Sequence, residues 1–492
     1  MLFRSIARLL PLDPASHAAG NDWQGDWLSP MGVDLQINGG LGLAFPELTA
    51  ADLPRLEALL ERLWADGVEA IAPTLVTCGV APLRQALSVL RLARQRHRPG
   101  RCLLLGAHLE GPFLAPARRG AHPAEHLAAP SLEALAERIE GFRCGAAWPP
   151  AEPNPAEPDT VLPVTVQPDT VDGWADATGA PIAADIALMT LAPELEGSAA
   201  VIAELRRRGA LVSLGHSAAD ERQANAAFAA GVTMLTHAFN AMAGLGHRAP
   251  GPVAAALLRD DVSLGLIADG VHVAPSMAVL LQRLAPDRVV LVSDALAPYG
   301  LQDGVHRWDD RELHVRDGSC RLADGTLAGV TLPLLAGVAR LARWSGQPER
   351  AIAAATVLPR RVLGERRPLE ALLLGRPLDE TLRWSRRDGE LSWRRAGDWP
   401  GAGRCAPTMQ MLRSDRSICS FCRSLPPGPR FAPSPWQTIS WPRTRDGPAR
   451  KPWRSSRGAR FHRDGLPAHF VEVIPALEAG AWLGLEPPAP PP

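Results

Sequence analysis

The 492-residue sequence predicts an α/β chain built on a (β/α)8 TIM-like barrel, and three observations lead there. Eight short, continuously apolar runs recur between residues 33 and 292. Amphipathic helical patterns separate them, and six of the runs end in polar or ionisable residues. Continuous apolar strands alternating with helices imply parallel strands buried on both faces. Eight such units match a barrel, whose chemistry gathers at the C-terminal ends of its strands. A doubly wound open sheet is the competing architecture. The lack of G-x-G-x-x-G after the first run counts against it.

The runs are Val33–Ile37, Ala70–Leu75, Leu103–Leu109, Ala187–Leu191, Leu211–Leu214, Thr233–Leu235, Ser263–Ile267 and Val289–Val292. Ala51–Ala65, Pro82–Arg96, Gly197–Arg208 and Asp220–Ala230 carry apolar residues at helical spacing. These signals divide the chain. Residues 1–30 are expected to give the first part of a small β domain. Residues 31–305 form the barrel, with a Pro-rich insertion near 147–168. Residues 306–397 supply the last barrel-associated helices and the rest of a reduced β-sandwich companion domain, ending in the strand pattern Gly389-Glu390-Leu391-Ser392-Trp393. Residues 398–492 are dense in Pro, Arg, Ser and Trp without a sustained period, and read as an irregular tail, disordered or non-native-like.

Composition narrows the function classes. Lys+Arg and Asp+Glu both total 52, so an overall basic footprint for nucleic acid is excluded. No apolar run reaches the roughly 18 residues of a membrane span. The first ten residues have too short an apolar core and too much Arg for a secretion signal. Seven Cys at no framework spacing point to a reducing compartment, so the expected location is cytoplasmic. The single lysine, Lys451, lies in the tail, which removes lysine chemistry from the barrel.

The strand ends carry the candidate chemistry. The first run continues into Gln36-Ile37-Asn38-Gly39-Gly40, the third into His108-Leu109-Glu110-Gly111-Pro112, and the fifth into Gly215-His216-Ser217. The sixth is followed by Thr236-His237-Ala238-Phe239-Asn240-Ala241-Met242, the seventh by Asp269-Gly270-Val271-His272 and the eighth by Ser293-Asp294-Ala295. Any one has a bland reading; Asp294 alone fits a helix N-cap. Together, the barrel aims them at one volume. Two imidazoles and one carboxylate form a usual catalytic zinc set. Glu110, His216 and His237 supply that set, which leaves Asp294 to handle protons.

These motifs resemble the amidohydrolase superfamily and, within it, the N-acetylglucosamine-6-phosphate deacetylase family. The run Thr236–Met242 and the Glu110 motif followed twelve residues later by His122 carry the resemblance, which spans roughly residues 30 to 395. It implies hydrolysis of the acetamide of N-acetylglucosamine 6-phosphate to glucosamine 6-phosphate and acetate. Glu110, His216 and His237 would hold one divalent metal ion, zinc first, with iron, manganese or cobalt as the other occupants. Asp294 would serve as general base and then acid, and His122 would contact the substrate near its acetyl or sugar end. Asn240, the backbone at Ala241, Arg248 and His272 would engage the sugar phosphate. Relatives are commonly homodimers, so Arg248 would be able to serve a neighbour's site. No nucleic-acid or membrane partner is implied.

Many amidohydrolases begin with a His-x-His pair where this chain has Gln36 and Asn38. Amides are poor zinc ligands beside imidazole, and no lysine is present to bridge two metals, so a single metal is expected. Val330 stands where the family usually has a small hydroxyl residue. The competing readings are an amidohydrolase acting on a different amide or amine, and a catalytically inactive relative.

Overall fold

The computed structural model describes residues 27–145 and 184–398. The expected insertion at 147–168, the tail beyond 398 and the first 26 residues lie outside these stretches.

Eight barrel strands pair side by side in chain order: Gly32–Ile37, Val68–Val76, Ala107–Glu110, Ile186–Leu191, Leu211–Leu214, Met234–Leu235, Ser263–Leu266 and Val289–Leu291. Every pairing along the path is parallel. Continuous apolar runs suit this role, because helices cover the outer face while side chains fill the centre. All six residues of Gly32–Ile37 and of Ile186–Leu191 are buried. The third expected strand is broken in two. Leu103–Leu104 pairs only with the second barrel strand, and Gly106, at φ 108°, turns the chain before Ala107–Glu110 resumes.

No strand ladder joins the first barrel strand to the eighth, so the barrel closes through residues just past the eighth strand. Asp294 N donates to Gln36 O at 2.9 Å, and Asn38 N donates to Ala295 O at 2.7 Å. The buried Asp34 carboxylate accepts from Ser293 N at 3.1 Å and Gln36 N at 3.2 Å. Its burial pushes the carboxyl up to about 7, against the hydrogen bonds it accepts.

The helices bury the faces their periodicity implies. Leu53–Ala65 turns Leu56, Leu59, Leu60 and Leu63 inward. It stops at Gly67, whose φ of 85° a left-handed terminator requires and whose missing side chain admits Trp393 and Leu335. Glu221–Ala229 starts on a reciprocal box between Asp220 and Gln223.

Among the described residues, two antiparallel sheets of three or more strands accompany the barrel, beside a short hairpin of Gly39–Gly40 with Leu43–Ala44. Trp27–Pro30, Thr381–Arg387 and Glu390–Arg395 form a three-stranded sheet in which Trp384 lies opposite both Trp27 and Trp393. Trp384 is fully buried and its indole N–H donates to Ser29 Oγ at 2.9 Å. Gly304–Trp308, Arg311–Arg316, Ser319–Leu322 and Leu327–Val330 form a separate four-stranded meander. It is tied to the barrel seam by the bridge between Ala295 and Val330 and by Leu296 N donating to Val330 O at 2.9 Å.

Where the first barrel strands begin, Arg360 is buried and donates to Met31 O at 2.9 Å and to Glu69 Oε2 at 2.7 Å. Arg376 reaches the same Glu69 oxygen at 2.6 Å. Among the described residues, no helix is long and apolar enough to cross a membrane.

Candidate active site

Glu110 ends the third barrel strand, while His216, His237 and Asp294 follow the fifth, sixth and eighth, and all four side chains are buried. Glu110 Oε1 lies 3.2 Å from His216 Nε2 and 3.1 Å from His237 Nε2, and the two imidazole nitrogens are 3.1 Å apart. Ligand atoms about 2.0–2.1 Å from a tetrahedral cation would be about 3.3 Å from one another, so this spacing fits a shared ion. The tautomer agrees. His216 Nδ1 faces the carbonyl of Arg118 at 2.9 Å and must donate to it, so in the neutral ring the Nε2 lone pair faces Glu110 and His237. Lone pairs and a carboxylate aimed at one point repel unless positive charge sits between them. Glu110, His122 and His216 likewise offer ligand atoms within 4.8 Å of one another, with His122 Nε2 3.9 Å from Glu110 Oε2.

The backbone is bent to present these groups. His216, His237 and Asp294 have φ of 49°, 24° and 50°, in the left-handed region that non-glycine residues avoid. Such conformations cost roughly 1–3 kcal/mol each and persist only where the surroundings enforce them. Gly111 serves Glu110 in another way: at φ 90°, a Cβ there would fall 2.1 Å from Thr77 Oγ1.

The titrations separate the two carboxylates. Burial works to raise Glu110, but the His216 and His237 imidazoles, which can donate to it only when they carry the extra proton in place of a shared cation, outweigh burial and hold the carboxyl well below its usual range. Asp294 is pushed up, first by burial and then by the Glu110 charge. Its Oδ1 accepts from Asn38 Nδ2 at 2.7 Å and Gln36 Nε2 at 3.3 Å, and Gln36 Nε2 also reaches Glu110 Oε1 at 3.1 Å. Burial drives His122 down to about 3, so its ring is neutral. Its Nδ1 accepts from Thr77 N at 3.3 Å, which leaves the proton on Nε2.

These groups lie in a cavity of about 340 Å³, lined also by Asn38, Asn240, Ala241 and His272 and by an apolar side that includes Val76, Leu296 and Trp308. That is the size of a small-molecule site.

No protein-family model matches the chain. It is similar to an N-acetylgalactosamine-6-phosphate deacetylase of Escherichia coli O157:H7, 34% identical over 338 residues that cover 68% of this chain and 78% of the relative. It is 32% identical over 389 residues to the N-acetylglucosamine-6-phosphate deacetylase of Rattus norvegicus, covering 76% of this chain and 85% of the relative. Among solved structures it resembles an Asp-to-Ala variant of the Mycobacterium smegmatis N-acetyl-D-glucosamine-6-phosphate deacetylase in complex with N-acetyl-D-glucosamine 6-phosphate. That match has 27% identity and a TM-score of 0.60, and covers 81% of this chain and 92% of the other. The chain belongs to the N-acetylglucosamine-6-phosphate deacetylase family.

In this family member, the remaining sequence-derived candidates fall into two groups. Asn240, Ala241 and His272 line the cavity, with His272 Nδ1 2.7 Å from Asp269 Oδ2. Arg248 is exposed on the loop before helix Gly251–Leu257 and is not among the lining residues, and Val330 is buried at the end of the strand Leu327–Val330 and does not line the cavity. Three supports have no local sequence signal, since each acts across a long stretch of chain. Thr77 fixes His122, Arg311 donates to Ala121 O at 2.7 Å, and Glu194 accepts from Ser217 Oγ at 2.7 Å and so anchors the loop that carries His216.

Proposed function

We propose that this chain hydrolyses the acetamide of N-acetylglucosamine 6-phosphate to glucosamine 6-phosphate and acetate. The convergence of Glu110, His216 and His237 within 3.2 Å, beside the buried Asp294, carries the reading. Those three side chains would hold a divalent cation, best zinc with iron, manganese or cobalt as the other candidates, which would supply Lewis acidity to the amide carbonyl and a lowered water pKa of about 7. Asp294 removes a proton from the attacking water and hands it to the departing sugar nitrogen as the C–N bond breaks. Asn38 and Gln36 orient the carboxylate for both transfers. The neutral His122 donates its Nε2 proton to the developing oxyanion.

Asn240, the backbone at Ala241 and His272 take the sugar phosphate from the far side of the cavity. Arg248, exposed on its loop, adds a planar donor fork from the neighbouring copy of a homodimer. A cytoplasmic location fits the free thiols of Cys78, Cys102, Cys144 and Cys320. The name of the Escherichia coli relative favours a second reading, in which the 4-epimer N-acetylgalactosamine 6-phosphate is the better substrate. Acetate release from the two phosphorylated epimers and from unphosphorylated N-acetylglucosamine tests both. The proposal expects fastest turnover of the phosphorylated gluco sugar and little of the unphosphorylated one. Equal turnover with and without phosphate would contradict it.

A further inference from the structure

We infer that Trp308 sets the size of the acyl group this enzyme accepts, by closing the apolar side of its cavity. The inference rests on the deacetylase reading and adds to it a residue that governs specificity.

The cavity has two chemically distinct sides. Asn240, Ala241 and His272 come from the ends of the sixth and seventh barrel strands. The apolar side is built elsewhere, from Val76, Ala121, Leu296, Trp308, Leu327 and Ala328. Three of the groups proposed for the chemistry, Glu110, His122 and Asp294, adjoin this apolar side along the chain or across a strand pair. Val76 pairs directly with Glu110 across neighbouring strands, Ala121 immediately precedes His122, and Leu296 lies two residues beyond Asp294. A sugar phosphate anchored at the polar side, with its amide carbon among Glu110, His122 and Asp294, therefore turns its acyl substituent toward the apolar wall. An amide differs from its homologues only in that substituent, so the wall decides which acyl groups fit.

Trp308 is the rigid part of the wall. Its side chain is 6% exposed and belongs to a small apolar cluster with Val76, Ala121 and Leu296, apart from the main core. The Arg311 guanidinium sits 4.6 Å from the indole centroid. Arg311 is itself held by Asp309 at 2.6 Å and by Ala121 O at 2.7 Å. An indole fixed on one side by a stacked, doubly anchored cation cannot swing aside cheaply for an added methylene. Ala328 is the smaller of the two residues of the strand Leu327–Val330 that line the cavity, and leaves the remaining room.

The test is kcat/KM for N-formyl-, N-acetyl-, N-propionyl- and N-butyryl-glucosamine 6-phosphate with the metal-loaded full chain and with Trp308→Ala, Trp308→Phe and Ala328→Val. Discrimination by one methylene in a packed pocket is commonly tenfold or more. Trp308→Ala is therefore expected to lower the acetyl-to-butyryl ratio at least about tenfold, and Trp308→Phe to lower it less. Ala328→Val is expected to lower acetyl relative to formyl at least about fivefold. If thermal melting shows that Trp308→Ala does not fold, the other two variants decide. Ratios within about twofold of the unmodified chain in folded variants would overturn the inference while leaving the deacetylase reading intact. An unmodified chain that hydrolyses none of the four amides would overturn both.

Discussion

The side-chain amide of Asn38 donates a 2.7 Å hydrogen bond to Oδ1 of Asp294, joining the chain just past the first barrel strand to the chain just past the eighth. Gln36, two residues earlier, reaches both Asp294 and Glu110. These two amides thus tether the proposed base to the proposed metal carboxylate. They also help to close a barrel whose first and last strands share no ladder.

Loss of that tether should appear in the pH profile. The Asn38 hydrogen bond favours the charged carboxylate and opposes the burial that raises Asp294. In Asn38→Ala the pKa of Asp294 rises further, and because the base form is the working one, the acid limb of kcat moves to higher pH. Turnover at neutral pH falls about tenfold, as for loss of a hydrogen bond to a charged group. A kcat–pH profile that superimposes on that of the unmodified chain would remove Asn38 from the account.

Asp294→Asn keeps the shape and removes the proton carrier. Its kcat should drop by about 10²–10⁴, the usual worth of general acid–base catalysis, while bound metal stays near that of the unmodified chain. Elemental analysis beside steady-state acetate release separates the two effects. Joint loss of metal and activity would make Asp294 a ligand instead.

His216→Ala and His237→Ala should each lose tightly bound metal, since each removes one of three donors. Gln36 and Asn38 are amides, which are poor ligands for such an ion beside imidazole, so a second tightly held ion has no comparable donor set. One ion per chain is expected by elemental analysis, and two tightly held ions would contradict this arrangement.

Glu69 supplies a test of the scaffold. Burial alone would raise its carboxyl, but Arg360 and Arg376 outweigh that and lower it. A group depressed in the folded state adds stability above its unfolded pKa and loses it as pH falls through the folded value. Glu69→Gln should therefore cost about 3 kcal/mol in urea unfolding at pH 7, with Arg360 left buried and short of its partner. The deficit should shrink in acid. A deficit independent of pH would assign it to packing.

Much of this architecture is legible in the sequence because buried parallel strands need continuous apolar runs. Ser263–Leu266 and Val289–Leu291 lie within a residue of the runs that foretell them. The grouping of Glu110, His216, His237 and Asp294 is legible for a related reason, since a polar residue ending an apolar strand has one mouth to face. What stays hidden is long-range. Thr77 sets the tautomer of His122, 45 residues away, and Arg311 grips Ala121 across 190, and neither contact leaves a local pattern. Gln36 and Asn38 are readable as poor ligands, but their bonds to Glu110 and Asp294 exist only once the barrel closes. The meander that begins at Gly304 has no such local signal, and its Trp308 lies in the cavity wall.

The most direct measurement is acetate release from N-acetylglucosamine 6-phosphate by the chelator-stripped full chain, titrated with zinc. The account predicts negligible release by the stripped chain and recovery that rises linearly and saturates at one equivalent per chain. Full activity without metal, or recovery only beyond two equivalents, would contradict it.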